Sequence, residues 1–207
     1  VKIESGKVTV IRISDIMASH RLDPIRVTID DIEPGKGRIT IECYGKAWAS
    51  YWGAMGDKTI AQFVASCDNQ YLIQNLTENL RGTRFSGEAL ARFARKTVCL
   101  RRRWRYRNTR INYDDLSREY ARELFNDTDD LASCESHDSC WTKSDLLTKI
   151  FGEEWFLSVG SEFEEINPEY AYLERICTAV REALVELANP QAPDTSKGIT
   201  WQTLQFA

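Results

Sequence analysis

Hydrophobic and polar residues alternate along the first third of the chain and then change to a helical period. Between Lys7 and Ser14, Val8, Val10, Ile11 and Ile13 sit among polar neighbours. Ile25, Val27 and Ile29 alternate more cleanly, and Ile39, Ile41 and Cys43 repeat the pattern. A period of two puts such residues on one face of a strand. Glu33-Pro34-Gly35-Lys36-Gly37 separates the last two runs. Pro presets φ there and Gly admits positive φ, so the two runs read as an antiparallel hairpin. Tyr44 to Gly56 is aromatic and glycine-rich, which predicts close backbone approaches or a bulge.

Beyond residue 57 the apolar spacing becomes three and four. Ile60, Phe63, Val64 and Cys67 predict a helix over 58–67, and Leu72, Ile73 and Leu76 one over 70–80. Leu90, Phe93, Ala94, Thr97, Val98 and Leu100 form one stripe over 86–100. Continued at 100° per residue, that stripe takes in Arg101 and Arg105. Either the helix ends near Leu100 or those arginines meet acidic partners. Tyr113, Leu116, Tyr120 and Leu124 predict a helix over 112–125, with Asp114 and Asp115 in its first turn. Thr142-Lys143-Ser144-Asp145 resembles a capping box ahead of Leu146, Leu147 and Ile150. The most regular helix runs from Tyr170 to Leu187 and stops at Asn189-Pro190. A tail, 189–207, follows with Ile199, Trp201, Leu204 and Phe206. The pattern predicts an α+β fold: a small antiparallel N-terminal sheet of three to four strands (1–52) covered by five to six helices (58–188). Residues 1–188 form a single domain in this reading.

Composition narrows the class. The chain has 207 residues, 43% hydrophobic and 28% charged, which is globular rather than disordered. No apolar run is long enough to cross a bilayer, and Val1 to Lys7 has no hydrophobic signal core. The cytoplasm is the expected compartment. The six cysteines then read as reduced, and the apolar settings of Cys43, Cys67, Cys99 and Cys177 read as buried.

Charge changes the picture most. A net charge of −4 conceals a split: residues 91–110 carry +9 and residues 111–170 carry −12. The basic cluster comprises Arg92, Arg95, Lys96, Arg101, Arg102, Arg103, Arg105, Arg107 and Arg110, with Trp104 and Tyr106 interleaved. Guanidinium groups pair phosphates and aromatic rings stack on bases, so Arg102, Arg103, Trp104, Arg107 and Arg110 are candidates for nucleic acid or a protein partner. Internal pairing with the acidic half competes for the same arginines. The acidic stretch presents Asp127, Asp129, Asp130, Glu153, Glu154, Glu162, Glu164 and Glu165. Such a face can occupy a basic groove as a DNA backbone would. Trp48, Tyr51 and Trp52 form a further candidate contact surface.

Catalytic and metal patterns fall short. Gly53-Ala54-Met55-Gly56-Asp57-Lys58-Thr59 ends like a phosphate loop, but Asp57 stands where Gly is needed. Asp57 capping a helix is the simpler reading. Asp30, Asp31, Glu42 and Lys46 suggest a sheet-borne nuclease, yet Glu42 and Lys46 are four apart and share one strand face in that reading. Cys134, His137 and Cys140 are weak metal candidates, one ligand short of a zinc tetrahedron. His20, the only other histidine, lies in a polar loop without a nucleophile elbow. Neither an enzyme nor a cofactor is expected.

Residues 37–75, from Gly37-Arg-Ile-Thr-Ile-Glu-Cys-Tyr through Gly56-Asp-Lys-Thr-Ile-Ala-Gln-Phe to Asp68-Asn-Gln-Tyr-Leu, resemble accessory proteins of temperate phages and prophages of enteric bacteria. Residues 117–127, Ser-Arg-Glu-Tyr-Ala-Arg-Glu-Leu-Phe-Asn-Asp, add to the resemblance. It carries over no catalytic residue. It implies a phage protein made in the host cytoplasm that binds and inhibits a host or anti-phage defence nucleoprotein, such as a CRISPR or restriction complex. Direct nucleic-acid binding through 101–110 is the alternative.

Overall fold

The computed structural model describes residues 6–14, 22–103, 116–157 and 161–188. The candidates His20, Trp104, Arg105, Tyr106, Arg107 and Arg110, the acids Asp114 and Asp115, and the tail lie outside them. The fold is α+β, with a four-stranded antiparallel N-terminal sheet and six α-helices among the described residues. Its contacts divide the chain into two compact units, each with its own core.

The first unit holds the sheet. Strands β1 (Thr9–Ile13), β2 (Ile25–Glu33), β3 (Lys36–Cys43) and β4 (Lys46–Trp52) pair in chain order. Val27 lies opposite Ile11 and Ile41, and Ile25 opposite Ile13 and Cys43. This register gathers the alternating aliphatics on one buried face. Helices α1 (Ile60–Ser66), α2 (Asn69–Leu76) and α6 (Pro168–Ala188) complete the core with Ile60, Val64, Leu72, Ile73, Ile176 and Val180. The other sheet face carries Arg26, Arg38, Glu42 and Tyr51, the solvated side usual for an antiparallel sheet.

Two turns set this register. Gly35 has φ 72 in the β2–β3 turn, and its carbonyl accepts from Met55 N at 2.8 Å. The glycine-rich loop after β4 is therefore seated on that hairpin turn, with Met55 buried. Tyr44 (φ 47) and Gly45 (φ 74) make the β3–β4 turn. That turn overturns the expectation for Glu42 and Lys46. Glu42 pairs across with Ala47 and Lys46 with Cys43, so the two occupy separate strands and opposite faces.

The second unit contains α3 (Gly87–Arg102), α4 (Arg118–Asp127), α5 (Ser144–Phe151) and a short ladder of β5 (Thr83–Phe85) with β6 (Glu164–Ile166). Leu90, Ala94 and Val98 of α3 pack with Leu124, Leu131, Leu147, Ile150 and Phe163. Short 3-10 segments at Thr128–Ser133, Asp138–Lys143, Trp155–Leu157 and Ser161–Phe163 link these elements.

Three capping expectations need correction. Asp57 does not cap α1: Thr59 and Gln62 form its capping box, and Asp31 Oδ1 accepts from Ile60 N at 2.8 Å. Within the described residues α4 starts at Arg118, because Ser117 accepts from Tyr120 N and caps it there. Thr142 caps nothing either. Its hydroxyl donates to Ser139 O at 2.7 Å, and α5 continues from a 3-10 turn with no side-chain cap.

Candidate functional site

The arginine cluster divides. Helix α3 runs past Leu100 to Arg102, so Arg101 does enter the apolar stripe. Arg101 is 9% exposed, and its guanidinium donates to Lys149 O at 2.6 Å and Ile150 O at 2.9 Å. These carbonyls belong to the last turn of α5, where four carbonyls lack helical partners. Arg101 is thus a structural cap on α5. Arg95 pairs with Asp129 and lies 5.8 Å from the Phe125 ring centroid. Arg92 is 4.0 Å from Glu88 one turn earlier. Arg102 and Arg103 are exposed and make no ion pair among the described residues. With Lys96, which is also exposed and makes no ion pair among the described residues, they are what the described part of the cluster leaves for a partner.

The acidic residues divide in the same way. Asp129 faces Arg95. Glu165 lies 2.9 Å from Arg84, whose hydrogen bond holds its carboxyl below the usual range. Glu164 accepts from Thr83 along the same ladder. Asp127, Asp130, Glu153, Glu154 and Glu162 are exposed and make no ion pair among the described residues.

Two of the three metal candidates meet, the Cys134 thiol lying beside that of Cys140. Cys134 and Cys140 are buried, and burial pushes the Cys140 thiol up to about 12. A ligand to zinc must shed that proton. His137 is exposed and rests on Phe85, with ring centroids 4.8 Å apart. Among the described residues no group of three or more His, Cys, Asp or Glu side chains could hold a metal ion. Asp30, Asp31 and Glu42 serve the fold: Asp31 accepts from α1, Glu42 lies 3.6 Å from Arg26, and Asp30 stands opposite Arg38.

In the first unit the aromatic candidates separate. Trp52 is buried, and its Nε1 donates to Tyr71 Oη at 3.1 Å. It belongs to the core, contrary to the expected contact surface. Trp48 is half-buried beside Tyr172. Tyr51 is exposed on the open sheet face.

A larger apolar surface lies in the second unit, where sequence periodicity did not point. Trp141 is 57% exposed, Phe156 46% and Leu157 71%. The Trp141 and Phe156 rings stack at 5.8 Å with 29° between planes, and both rest on buried Trp155. Adjacent aromatics left in water are costly unless something covers them. Exposed Asp138, Asp145, Glu153 and Glu154 lie within four residues of this surface in sequence, against Lys143. The missed signal was phase: Trp141 and Phe156 each neighbour a residue that is buried, Cys140 and Trp155.

No helix among the described residues is long and apolar enough to cross a membrane. No curated protein and no solved structure matches the chain. A family model described as a phage family does match, over residues 1–186. That span takes in the sheet, the arginine-bearing helix, the exposed aromatic surface and nearly all of α6, and the chain belongs to this phage protein family.

Proposed function

We propose that the protein is a non-enzymatic accessory protein of a temperate phage, acting in the cytoplasm of an enteric host. It binds and inhibits a host or anti-phage defence nucleoprotein, such as a CRISPR or restriction complex. The carrying observation is the exposed Trp141–Phe156–Leu157 surface, with exposed carboxylates close to it in sequence. Exposed tryptophan is the residue type most enriched among binding hot spots. Surrounding negative charge steers a basic partner and excludes acidic ones. Nucleoproteins present basic protein surfaces because they hold nucleic acid.

The test is phage plating on strains that each carry one defined CRISPR or restriction system. Expression of the protein is expected to restore plating on at least one strain. Trp141→Ser with Leu157→Ser is expected to abolish the rescue while the chain stays folded, with only a small fall in the urea midpoint. Failure on every strain of a broad panel, or full rescue by the double variant, refutes the reading.

A second reading rests on exposed Arg102 and Arg103. Direct nucleic-acid binding predicts a salt-sensitive gel shift that Arg102→Glu with Arg103→Glu removes. No shift at low salt refutes it.

A further inference from the structure

The first unit contains a cavity of about 280 Å³ lined by Lys46, Trp48, Glu78, Asn79, Glu169 and Tyr172, among others. It belongs to a different unit from the residues on which the proposed function rests and stands independently of that reading. Trp48 and Tyr172 form one wall, with ring centroids 6.4 Å apart and planes at 55°. The Tyr172 ring is held in place, since its hydroxyl lies 3.3 Å from Cys43 Sγ, itself 3.6 Å from the Asp23 carbonyl. Asn79, with φ 62, turns the segment after α2 so that Glu78 and Leu80 both reach the cavity.

Its chemistry selects for charge. Aromatic faces attract cations within about 6 Å of the ring centroid. Tyr172 already accepts one, the Arg175 guanidinium at 5.7 Å. Two carboxylates, Glu78 and Glu169, line the cavity against one ammonium, Lys46. Lys46 Nζ lies 3.4 Å from Glu169 in a pair whose side chains are 60% and 70% exposed. An ion pair so exposed holds weakly and exchanges readily. A phosphate or carboxylate would meet two like charges against the single ammonium of Lys46.

We infer that this cavity is a binding site for an organic cation, an alkylammonium or alkylguanidinium. The cationic head lies between the Trp48–Tyr172 wall and the two carboxylates, and it takes the place of Lys46 beside Glu169. A Lys or Arg side chain of a partner and a free diamine share this chemistry.

The test is ligand-observed NMR on the full chain, with n-butylguanidinium and putrescine as cations and butyrate and n-butanol as controls. Both cations, or one, are expected to bind and the controls not. The decisive feature is the sign of three substitutions. Lys46→Ala removes the competing ammonium and is expected to tighten cation binding several-fold. Glu78→Gln is expected to weaken it several-fold, and Trp48→Leu about tenfold. Lys46 and Glu78 are exposed, so their signs stay readable even if Trp48→Leu disturbs packing. Preference for n-butylguanidinium assigns the site to an arginine side chain, and preference for putrescine to a free diamine. Binding of butyrate, weakening by Lys46→Ala, or no binding of either cation overturns the inference.

Discussion

Replacing Arg101 by Met separates the structural arginine from those available to a partner. The substitution keeps an unbranched stem of similar volume in the stripe of α3. It removes the donors that meet Lys149 O at 2.6 Å and Ile150 O at 2.9 Å. Hydrogen bonds from a charged donor contribute about 1.5–3 kcal/mol each. Both carbonyls belong to the last turn of α5, and the cation also opposes the negative end of that helix. Water entering beside the Met side chain recovers part of the loss. The expected destabilisation is therefore about 2–4 kcal/mol. A domain stable by about 5–15 kcal/mol would notice that. Arg102→Met, one residue on and exposed, should stay within about 0.5 kcal/mol of the parent.

The assay is urea unfolding at neutral pH, followed by far-UV circular dichroism and by amide exchange in α5. Arg101→Met should lower the midpoint and speed exchange at the end of α5, and Arg102→Met should do neither. Equal stability of Arg101→Met and the parent, or equal losses for the two variants, would refute the capping argument. The result also governs how nucleic-acid binding is tested. A gel shift lost in Arg101→Met would report unfolding, so only the Arg102 and Arg103 substitutions address contact.

Gly87→Ala should destabilise the second unit by about 1–3 kcal/mol, read from the urea midpoint. A Cβ there would lie 2.5 Å from Cys134 O and 2.7 Å from Ala132 O and Leu131 O, and this crowding outweighs the gain of about 1 kcal/mol usual for Gly→Ala in a helix. The Cys177 thiol is pushed from 9.0 up to about 12, chiefly by burial. The folded chain keeps a proton that the unfolded chain releases, so this stabilisation is complete below pH 9 and is lost as pH rises from 9 through 12. Urea midpoints should fall from about pH 8 to about pH 10.5, and Cys177→Ala should flatten part of that fall. Trp141→Ser alone should cost about 1 kcal/mol, because its exposed ring lies outside the second core but packs on the core residue Trp155.

Much of this fold was legible because periodicity reports burial. The alternation of Ile25, Val27, Ile29, Ile39 and Ile41 became one buried sheet face, and Leu173, Ile176 and Val180 became the buried stripe of α6. What periodicity cannot carry is the choice among chemically equivalent partners. Asp57 and Asp31 were equally able to accept from the first turn of α1. The β2–β3 register and the seating of the glycine loop on Gly35 decided for Asp31. Arg101 shows the same limit. Its phase placed it inward, where the sequence allowed either a helix end near Leu100 or an acidic partner; α3 runs on to Arg102, and two peptide carbonyls, which no sequence pattern marks, are among the partners of Arg101. The exposed aromatics reverse the case. Trp141 and Phe156 look like core by composition and are recognisable as surface only once Cys140 and Trp155 have taken the inward positions. A residue type suited to the core, held outside a core that is already filled, is therefore the feature to weigh as a contact surface. On that criterion the second unit's Trp141, Phe156 and Leu157 rank above the first unit's Trp52, which its bond to Tyr71 holds inside.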